Sequence, residues 1–147
     1  MTKEMQKGDI GERLMLSMNE RDRRWGLAKQ LMKAKGLNCL IIFPEGWFEP
    51  YDVWFTNDNC FGVVVFPFEG EPCYMTWSPM HGTLRMLENR KRGIQPWVED
   101  YRVVRPYSEI GVTILQEKGL ASANIDVVGF AHRINVKSGT HQIPHYF

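Results

Sequence analysis

The stretch FGVVVFPFEGEPCYMTW (Phe61–Trp77) decides the fold, because it reads as two apolar strands joined by a tight turn. The strand FGVVVF (Phe61–Phe66) is followed by PFEGEP (Pro67–Pro72), which contains two prolines and a Glu-Gly pair, and then by the strand CYMTW (Cys73–Trp77). Because the prolines stand at the two rims of the turn, they leave the ladder between the strands uninterrupted. The pattern therefore predicts an antiparallel hairpin.

Upstream of this hairpin, the sequence predicts one helix and one strand. The helix NERDRRWGLAKQLMKAKGL would take Asn19 as its N-cap and leave through Gly36 in the left-handed conformation. NCLIIF (Asn38–Phe43) follows as a continuous apolar run, which is typical of a strand covered on both faces. Helical spacing assigns four residues to the apolar side of this helix: Trp25, Ala28, Leu31 and Met32.

Downstream of the hairpin, a second helix is expected to begin at the cap Ser78 and to stop at Gly93, with Pro79 in its first position. Its apolar side is predicted to consist of Met80, Leu84 and Leu87.

The rest of the pattern contains a short strand at about Tyr101–Val104, a helix capped by Ser108 with its exit at Gly119, and a strand at Asn124–Phe130. No period is evident beyond that strand. A length of 147 residues favours one domain. The mixture of a hairpin with helix-linked strands predicts a three-layer α/β domain, in which helices flank a mixed β-sheet. We expect residues 1–18 to form an N-terminal arm and residues 19–147 to form the domain.

Composition limits the classes of partner. The formal net charge is +1, which provides no electrostatic footprint for nucleic acid or for an anionic membrane. Three cysteines, an odd number without a CxxC pair, argue against a disulfide framework or a zinc site. No apolar run approaches the roughly 18 residues that a membrane span requires. We expect a cytoplasmic protein that contacts neither nucleic acid nor a membrane.

Catalytic motifs are missing from the sequence. It contains no GxSxG elbow, no GxxxxGK[ST] phosphate loop and no GxGxxG fingerprint. His141 and His145 are four residues apart, but Pro144 between them works against a helix, and two imidazoles alone make a poor metal site. The adjacent acids Glu99–Asp100 point their side chains apart and are interpreted as rim charges. We therefore predict no catalytic residue and no metal ligand in this chain.

The segment Tyr51–Phe61 is the best candidate for a binding surface, because it combines aromatic rings with hydrogen-bonding side chains. The alternative is an aromatic-rich loop that caps the sheet, in which Asn and Asp only form turns. The polar members of the segment are Asp52, Asn57, Asp58 and Asn59, and the nearby aromatic ones are Trp47, Phe48, Tyr51, Trp54 and Phe55.

The order of these motifs resembles the N-terminal domain of the creatinase, prolidase and aminopeptidase P family, the pita-bread metallohydrolases. The motifs that carry the resemblance are GLNCLII (Gly36–Ile42), WFTN (Trp54–Asn57), the strand FGVVVF, EGEP (Glu69–Pro72) and WVEDYR (Trp97–Arg102). Asn57 stands where the family has glycine, and asparagine also tolerates a positive φ. The resemblance implies the three-layer fold with its ribonuclease H-like motif.

The resemblance also implies a function for the domain. In the family, a second, catalytic domain carries five ligands for two divalent metal ions (Mn, Co or Zn), and this chain has no counterpart of it. The chain would also end before the last helix and strand of the N-terminal domain. Such a domain mediates dimer contacts and contributes residues to the substrate pocket of a neighbouring subunit. By position, those residues would be Trp54, Asp58, Asn59 and Phe61.

Two functions therefore remain open. The chain would be the non-catalytic domain of a dinuclear-metal hydrolase that acts on Xaa-Pro peptides or a creatine-like substrate. Alternatively, it would be a stand-alone module that binds a peptide or a second copy of itself without catalysis.

Overall fold

The computed structural model of the chain describes residues 16–44, 51–58, 60–76, 78–104 and 107–129, and the backbone pairing of 134–135 with 140–141. The helices are α1 (Met18–Lys35), α2 (Tyr51–Thr56), α3 (Pro79–Arg92) and α4 (Tyr107–Glu117). The strands are β1 (Cys39–Ile42), β2 (Val63–Pro67), β3 (Cys73–Thr76), β4 (Asp100–Val103), β5 (Ile125–Val128), β6 (Ile134–Asn135) and β7 (Thr140–His141).

A mixed five-stranded sheet in the order β4-β3-β2-β1-β5 forms the centre of the fold. β2 pairs antiparallel with both β1 and β3, which confirms the predicted hairpin. The two helix-linked connections place β4 parallel to β3 and β5 parallel to β1. A separate antiparallel pair is formed by β6 and β7. The predicted mixed sheet of an α/β domain is therefore confirmed.

Helices cover both faces of the sheet and complete the three predicted layers. Alternate strand residues such as Leu40, Val64 and Tyr74 belong to a core with α1 and α2, whereas their neighbours, such as Val63 and Met75, pack with α4. α3 lies on the same side as α1 and α2. The part of the chain that the structure describes contains no helix long and apolar enough to cross a bilayer.

Two predicted helix starts are wrong by one or two residues. Ser17, not Asn19, caps α1, because its side chain accepts a hydrogen bond from the Glu20 N–H across 3.2 Å. α4 already includes Tyr107, so Ser108 lies inside the helix. The predicted stops at Gly36 and Gly93 are confirmed, since both residues adopt the left-handed conformation with φ of 65° and 66°.

The stretch PEGWFEPYD (Pro44–Asp52) is predicted to be a loop from its proline and glycine content, and this prediction is wrong at its end, because α2 begins at Tyr51. This six-residue helix is held by contacts with distant elements. Trp25 Nε1 donates to the Phe55 carbonyl oxygen across 2.9 Å, and the rings of Phe55 and Phe66 lie 5.0 Å apart. Residues 45–50, including Trp47 and Phe48, lie outside the described residues.

The predicted apolar face of α3 does not face the core. Met80, Leu84 and Leu87 are 65%, 58% and 55% exposed, and the buried residues of the helix are Gly82 and Asn89. The reason is close packing at Gly82, where an added Cβ atom would lie 2.7 Å from Thr76 Cγ2. A helix that approaches the sheet through its smallest side chain turns its larger apolar side outward.

Candidate functional site

A buried hydrogen-bonded cluster ties α2 and the start of β2 to strand β3. The Tyr74 hydroxyl donates to Asp52 Oδ2 across 2.7 Å. The backbone N–H groups of Cys60 and Gly62 donate to the Tyr74 oxygen across 3.3 and 3.2 Å. The Gly62 N–H also lies 3.2 Å from Asp52 Oδ2. We call these residues (Asp52, Tyr74, Cys60 and Gly62) the Asp52–Tyr74 cluster.

Burial changes the pKa of two ionisable side chains in this cluster, Asp52 and Tyr74. Loss of solvation raises the pKa of Asp52, although the hydrogen bond from Tyr74 opposes the shift. Burial, followed by the charge of Asp52, raises the pKa of Tyr74 well above its usual range. Asp52 is 1% exposed and Tyr74 is 0% exposed, and Tyr74 also contributes to the wall of a groove described below. The hydrogen bonds of the cluster join α2 and the start of β2 to β3, so the cluster anchors the chain.

The turn after α2 uses the other polar side chains of the segment. The Thr56 hydroxyl donates to the Asp52 carbonyl oxygen across 2.8 Å and accepts from the Asp58 N–H across 3.0 Å. Asn57 has φ of 53°, which confirms that asparagine keeps the left-handed turn at this position. Phe61 is also left-handed, with φ of 49°, between two residues whose N–H groups bind Tyr74.

The structure does not bring together the residues that the resemblance predicts for the substrate pocket. Trp54 is exposed on α2, and Asp58 is buried on the opposite side of the turn. Phe61 is partly buried just before β2, and Asn59 lies outside the described residues. Trp54 and Asp58 line two different grooves on the same side of the sheet, so the described members of the predicted set do not form a single pocket.

Asp58 is held by two neighbours. Arg85 Nε on α3 lies 3.2 Å from Asp58 Oδ1, and the Cys60 thiol donates to the same oxygen across 3.4 Å. Burial raises the pKa of Cys60 to about 11, so the thiol keeps its proton at neutral pH. A protonated thiol is a weak nucleophile. The Asp58–Arg85–Cys60 contacts therefore connect the turn to α3 and do not form a nucleophilic site.

The first groove, which we call the α1–β5 groove, lies between α1, α2 and the edge strand β5, and has a volume of about 760 Å³. Leu31, predicted to face the core, is exposed on its rim. The guanidinium of Arg24 lies 5.6 Å from the Trp54 ring and 5.4 Å from the Trp97 ring. The lining residues are Arg24, Leu27, Ala28, Leu31, Leu40, Tyr51, Val53, Trp54, Phe55 and Val128.

The second groove, which we call the α3 groove, lies between α3, the turn after α2 and the segment that leads into β4, and has a volume of about 340 Å³. Its walls are mainly apolar, with a few polar side chains among them. This composition is typical of sites for small ligands. The lining residues are Thr56, Asp58, Tyr74, Thr83, Met86, Leu87, Asn89, Arg90, Ile94, Pro96, Val98, Glu99 and Tyr101.

Sequence reasoning missed the polar residues of the α3 groove. Asn89 and Arg90 belong to the short basic run at the end of α3, which resembles an ordinary solvated helix surface. Glu99 was interpreted only as a rim charge. The sequence contains one signal that Asn89 faces inward. Asn89 follows Gly82 by seven residues, about two helical turns, and this spacing places both residues on the inward side of α3.

Metal ligands do not cluster in the parts of the chain that the structure describes: no group of three or more His, Cys, Asp and Glu side chains could hold an ion there. Asp100 instead pairs with Arg102 across 2.8 Å, and this contact lowers the pKa of Asp100. His145 lies outside the described residues, and only the backbone of His141 is described.

Comparison with known proteins shows a distant structural relationship. No protein-family model matches the chain. No curated protein matches it in sequence. Among solved structures, the chain is similar to an Xaa-Pro aminopeptidase from Streptococcus pyogenes, with a TM-score of 0.52 and 13% identity, over 76% of this chain and 92% of the other. At this identity, the similarity establishes the shared fold.

Proposed function

We propose that this chain is the non-catalytic N-terminal domain of a dinuclear-metal hydrolase resembling Xaa-Pro peptidases or creatinase. It would associate with a second copy of itself and shape the substrate pocket of the neighbouring subunit. The structural similarity to an Xaa-Pro aminopeptidase supports this proposal at the level of fold. The two divalent metal ions and the peptide substrate would be bound by a catalytic domain outside these residues.

The observation that carries the proposal is the uneven distribution of exposed apolar side chains. Among the described residues, the helices α1, α2 and α3 expose many large apolar side chains, whereas on the opposite layer α4 exposes only Val112. Contiguous exposed apolar surface marks interaction sites in soluble proteins. The exposed apolar residues of the three helices are Leu27, Leu31, Trp54, Met80, Leu84, Met86 and Leu87.

The α1–β5 groove is the proposed centre of the self-association surface. Trp54 on its rim is the residue type most enriched among those that dominate binding energy. Arg24 fixes this ring from one side, because it donates to the Trp54 carbonyl oxygen across 3.2 Å and to Glu20 across 2.8 Å. A rigid aromatic anchor loses little entropy on binding. In a two-fold dimer, the same surface would meet its own copy.

Sedimentation velocity at micromolar to high-micromolar concentration tests the proposal. Leu31→Lys places a charge on the rim of the α1–β5 groove, and we expect it to convert a dimer to a monomer. Val112→Lys is the matched control, because Val112 is 55% exposed and Leu31 is 56% exposed, on opposite layers. A wild-type chain that stays monomeric, or a Val112→Lys variant that dissociates equally, would contradict the assigned surface.

The alternative is a stand-alone module that binds a peptide without catalysis. The α3 groove favours this alternative, because its walls are mainly apolar and include the polar side chains of Asn89, Arg90 and Glu99. A peptide that binds the isolated chain without being cleaved would support the alternative. It would not by itself exclude self-association through the α1–β5 groove.

We also infer a reducing, cytoplasmic compartment from the cysteines. Cys39, Cys60 and Cys73 are all buried and free, and burial raises the pKa of Cys39 and Cys60 to about 11. Thiol titration of unfolded protein, purified without reductant, is expected to find three thiols per chain. Fewer thiols would indicate disulfide formation and an oxidising compartment.

A further inference from the structure

The outward side of α3 carries a stripe of large apolar side chains. Met80, Leu84 and Leu87 are 65%, 58% and 55% exposed. Their spacing of four and then three residues places them one above the other along one side of a helix. This side lies opposite the buried residues of the helix, Gly82 and Asn89. We call Met80, Leu84 and Leu87 the α3 stripe.

A rotation of α3 cannot bury the stripe, because close contacts fix the orientation of the helix. A Cβ atom added to Gly82 would lie 2.7 Å from Thr76 Cγ2 and 3.0 Å from Val103 Cγ2, so no larger side chain fits between α3 and the sheet. The contact of 3.2 Å between Arg85 Nε and Asp58 Oδ1 holds the same orientation. Apolar side chains that cluster on the surface of a soluble protein mark an interaction site.

The spacing of the stripe indicates that a helix is the binding element of the partner. Met80, Leu84 and Leu87 have the spacing of the a and d residues in a coiled coil, and Lys91 continues the pattern four residues later. A narrow apolar seam of this kind is complementary to the seam of a second helix, whose side chains fit between those of the first. With 14 residues, α3 offers two full heptads to such a partner.

The charges beside the stripe favour an acidic partner. Four cationic side chains and a single acidic one, Glu88, belong to α3. Arg85 and Arg92 share Glu88 at 3.0 and 3.3 Å. Arg90 and Lys91 are exposed, and no acidic side chain in the described part of the chain forms an ion pair with either. A second copy of α3 would meet these cations with the same net positive charge, whereas a partner helix with acidic flanks would complement them.

We propose that the α3 stripe docks a partner protein that presents an acidic amphipathic helix. Leu84 and Leu87 form the centre of the contact, because they lie between Met80 at one end of the stripe and Lys91 beyond the other. Arg90 and Lys91 attract the acidic residues that flank the apolar seam of the partner helix. The stripe shares no residue with the lining of the α1–β5 groove, so the proposal does not depend on self-association.

Two fluorescently labelled helical peptides test the charge requirement. Both contain about three heptads with Leu at a and d, and they differ only in carrying Glu or Lys at e and g, where like charges keep each peptide monomeric. Fluorescence anisotropy should show that the Glu peptide binds about 10-fold more tightly than the Lys peptide. Equal binding of the two peptides, or no binding of the Glu peptide at high-micromolar protein, would overturn the proposal.

The variant Leu84→Gln tests the apolar part of the contact. It places a polar side chain at the centre of the stripe, so binding of the Glu peptide should weaken about 10-fold. Val112→Gln on α4 is the matched control, because Val112 is 55% exposed on the opposite layer. Thermal unfolding verifies that both variants are folded. Equal losses in the two variants would show that the peptide binds outside the stripe.

The variant Lys91→Glu tests the charge beside the stripe. It should weaken binding of the Glu peptide about 5-fold and strengthen binding of the Lys peptide, as for a partly exposed ion pair. Lys33→Glu changes the net charge by the same amount on the last turn of α1, where Lys33 is also exposed. If Lys33→Glu weakens binding as much as Lys91→Glu does, the attraction depends on net charge alone and the assigned site is wrong.

Two further measurements distinguish the other possible occupants of the stripe. Binding to phosphatidylserine vesicles that Leu84→Gln abolishes would assign the stripe to a membrane surface. Self-association of the Leu31→Lys chain that Leu84→Gln abolishes would assign it to a second copy. Either result in place of Glu-peptide binding would overturn the proposal. Binding of the Glu peptide by a monomeric Leu31→Lys chain would support it, whatever the outcome for self-association through the α1–β5 groove.

Discussion

The Asp52–Tyr74 cluster and the α3 groove place polar groups in similar surroundings, between helices and the same face of the sheet. In the cluster, the Tyr74 hydroxyl has one acceptor and two donors within the chain. In the groove, Asn89 is 9% exposed and borders an opening to solvent. The hydrogen bonds of the cluster hold its groups in one conformation, although Asp52 Oδ1 is enclosed without a hydrogen bond from any described residue. A polar side chain at the wall of a groove keeps access to water, so the fold constrains it less.

Gly62→Ala should produce the largest effect, because it breaks the cluster sterically. An added Cβ atom would lie 2.5 Å from Tyr74 Cε2 and would also collide with the Met75 carbonyl oxygen. We expect a loss of roughly 3 kcal/mol or more in the free energy of unfolding, measured by urea denaturation. Gly26→Ala is the control, since no atom lies within 4 Å of its added Cβ. This control in the interior of α1 should stabilise the protein by about 0.5–1 kcal/mol. Similar losses in both variants would contradict the steric explanation.

Tyr74→Phe removes the hydroxyl at the centre of the cluster and keeps the ring. Asp52 loses its shortest hydrogen bond, and the Cys60 N–H loses its acceptor. We expect the free energy of unfolding to fall by about 2 kcal/mol, because both groups remain buried. The control Thr113→Val removes an exposed helix hydroxyl and should change stability by less than about 0.5 kcal/mol. A neutral Tyr74→Phe variant would show that the cluster does not anchor α2.

Stability should also depend on the protonation of Asp52. Burial raises the pKa of Asp52 above its ordinary 3.8, so the folded state binds the proton more tightly than the unfolded state. Stability is therefore highest below the ordinary value and falls as pH rises through the raised pKa, by at most about 1.4 kcal/mol per pH unit. Asp52→Asn keeps the shape and removes this titration. The difference in unfolding free energy between wild type and Asp52→Asn, followed from acidic to neutral pH, should show the decline. Parallel curves would contradict the prediction.

The smallest effect is expected for Asn89→Leu, and it tests the other half of the comparison. Because Asn89 borders an open groove and none of the described hydrogen bonds involves its side chain, the free energy of unfolding should change by less than about 0.5 kcal/mol. Asn38→Leu is the matched control, since Asn38 Oδ1 accepts from the Asn124 N–H across 3.0 Å. This control should lose about 1 kcal/mol. If both variants lose the same amount, Asn89 has a structural partner in the protein.

Much of the fold was predictable from short-range patterns. The hairpin of β2 and β3 was predicted from two apolar runs around a turn that contains proline and glycine. The ends of α1 and α3 at Gly36 and Gly93 were predicted because glycine readily adopts the left-handed conformation that ends a helix. Helix α2 was not predictable in this way. A six-residue helix is marginal in isolation, and this one is held by Trp25 and Phe66, which lie far away in the sequence.

The candidate sites were predictable only in part. The polar and aromatic character of the segment around Trp54 and Asp58 drew attention to the correct region, but the structure divides these two residues between two grooves. That Asn89 and Glu99 line the same groove could not be predicted. It depends on the parallel register of β3 and β4 and on the close approach of α3 at Gly82.

The sequence by itself determined the order of the three longer helices and of the five strands of the main sheet, the hairpin and the class of mixed sheet. These features depend on neighbours within a few residues, through periodicity, capping and turn geometry. Only the tertiary structure decided which polar groups are satisfied and which apolar side chains face solvent. Tyr74 donates to Asp52, Asn89 lies on the inward side of α3, and Leu84 faces solvent, because burial and pairing are set by contacts between residues far apart in the chain.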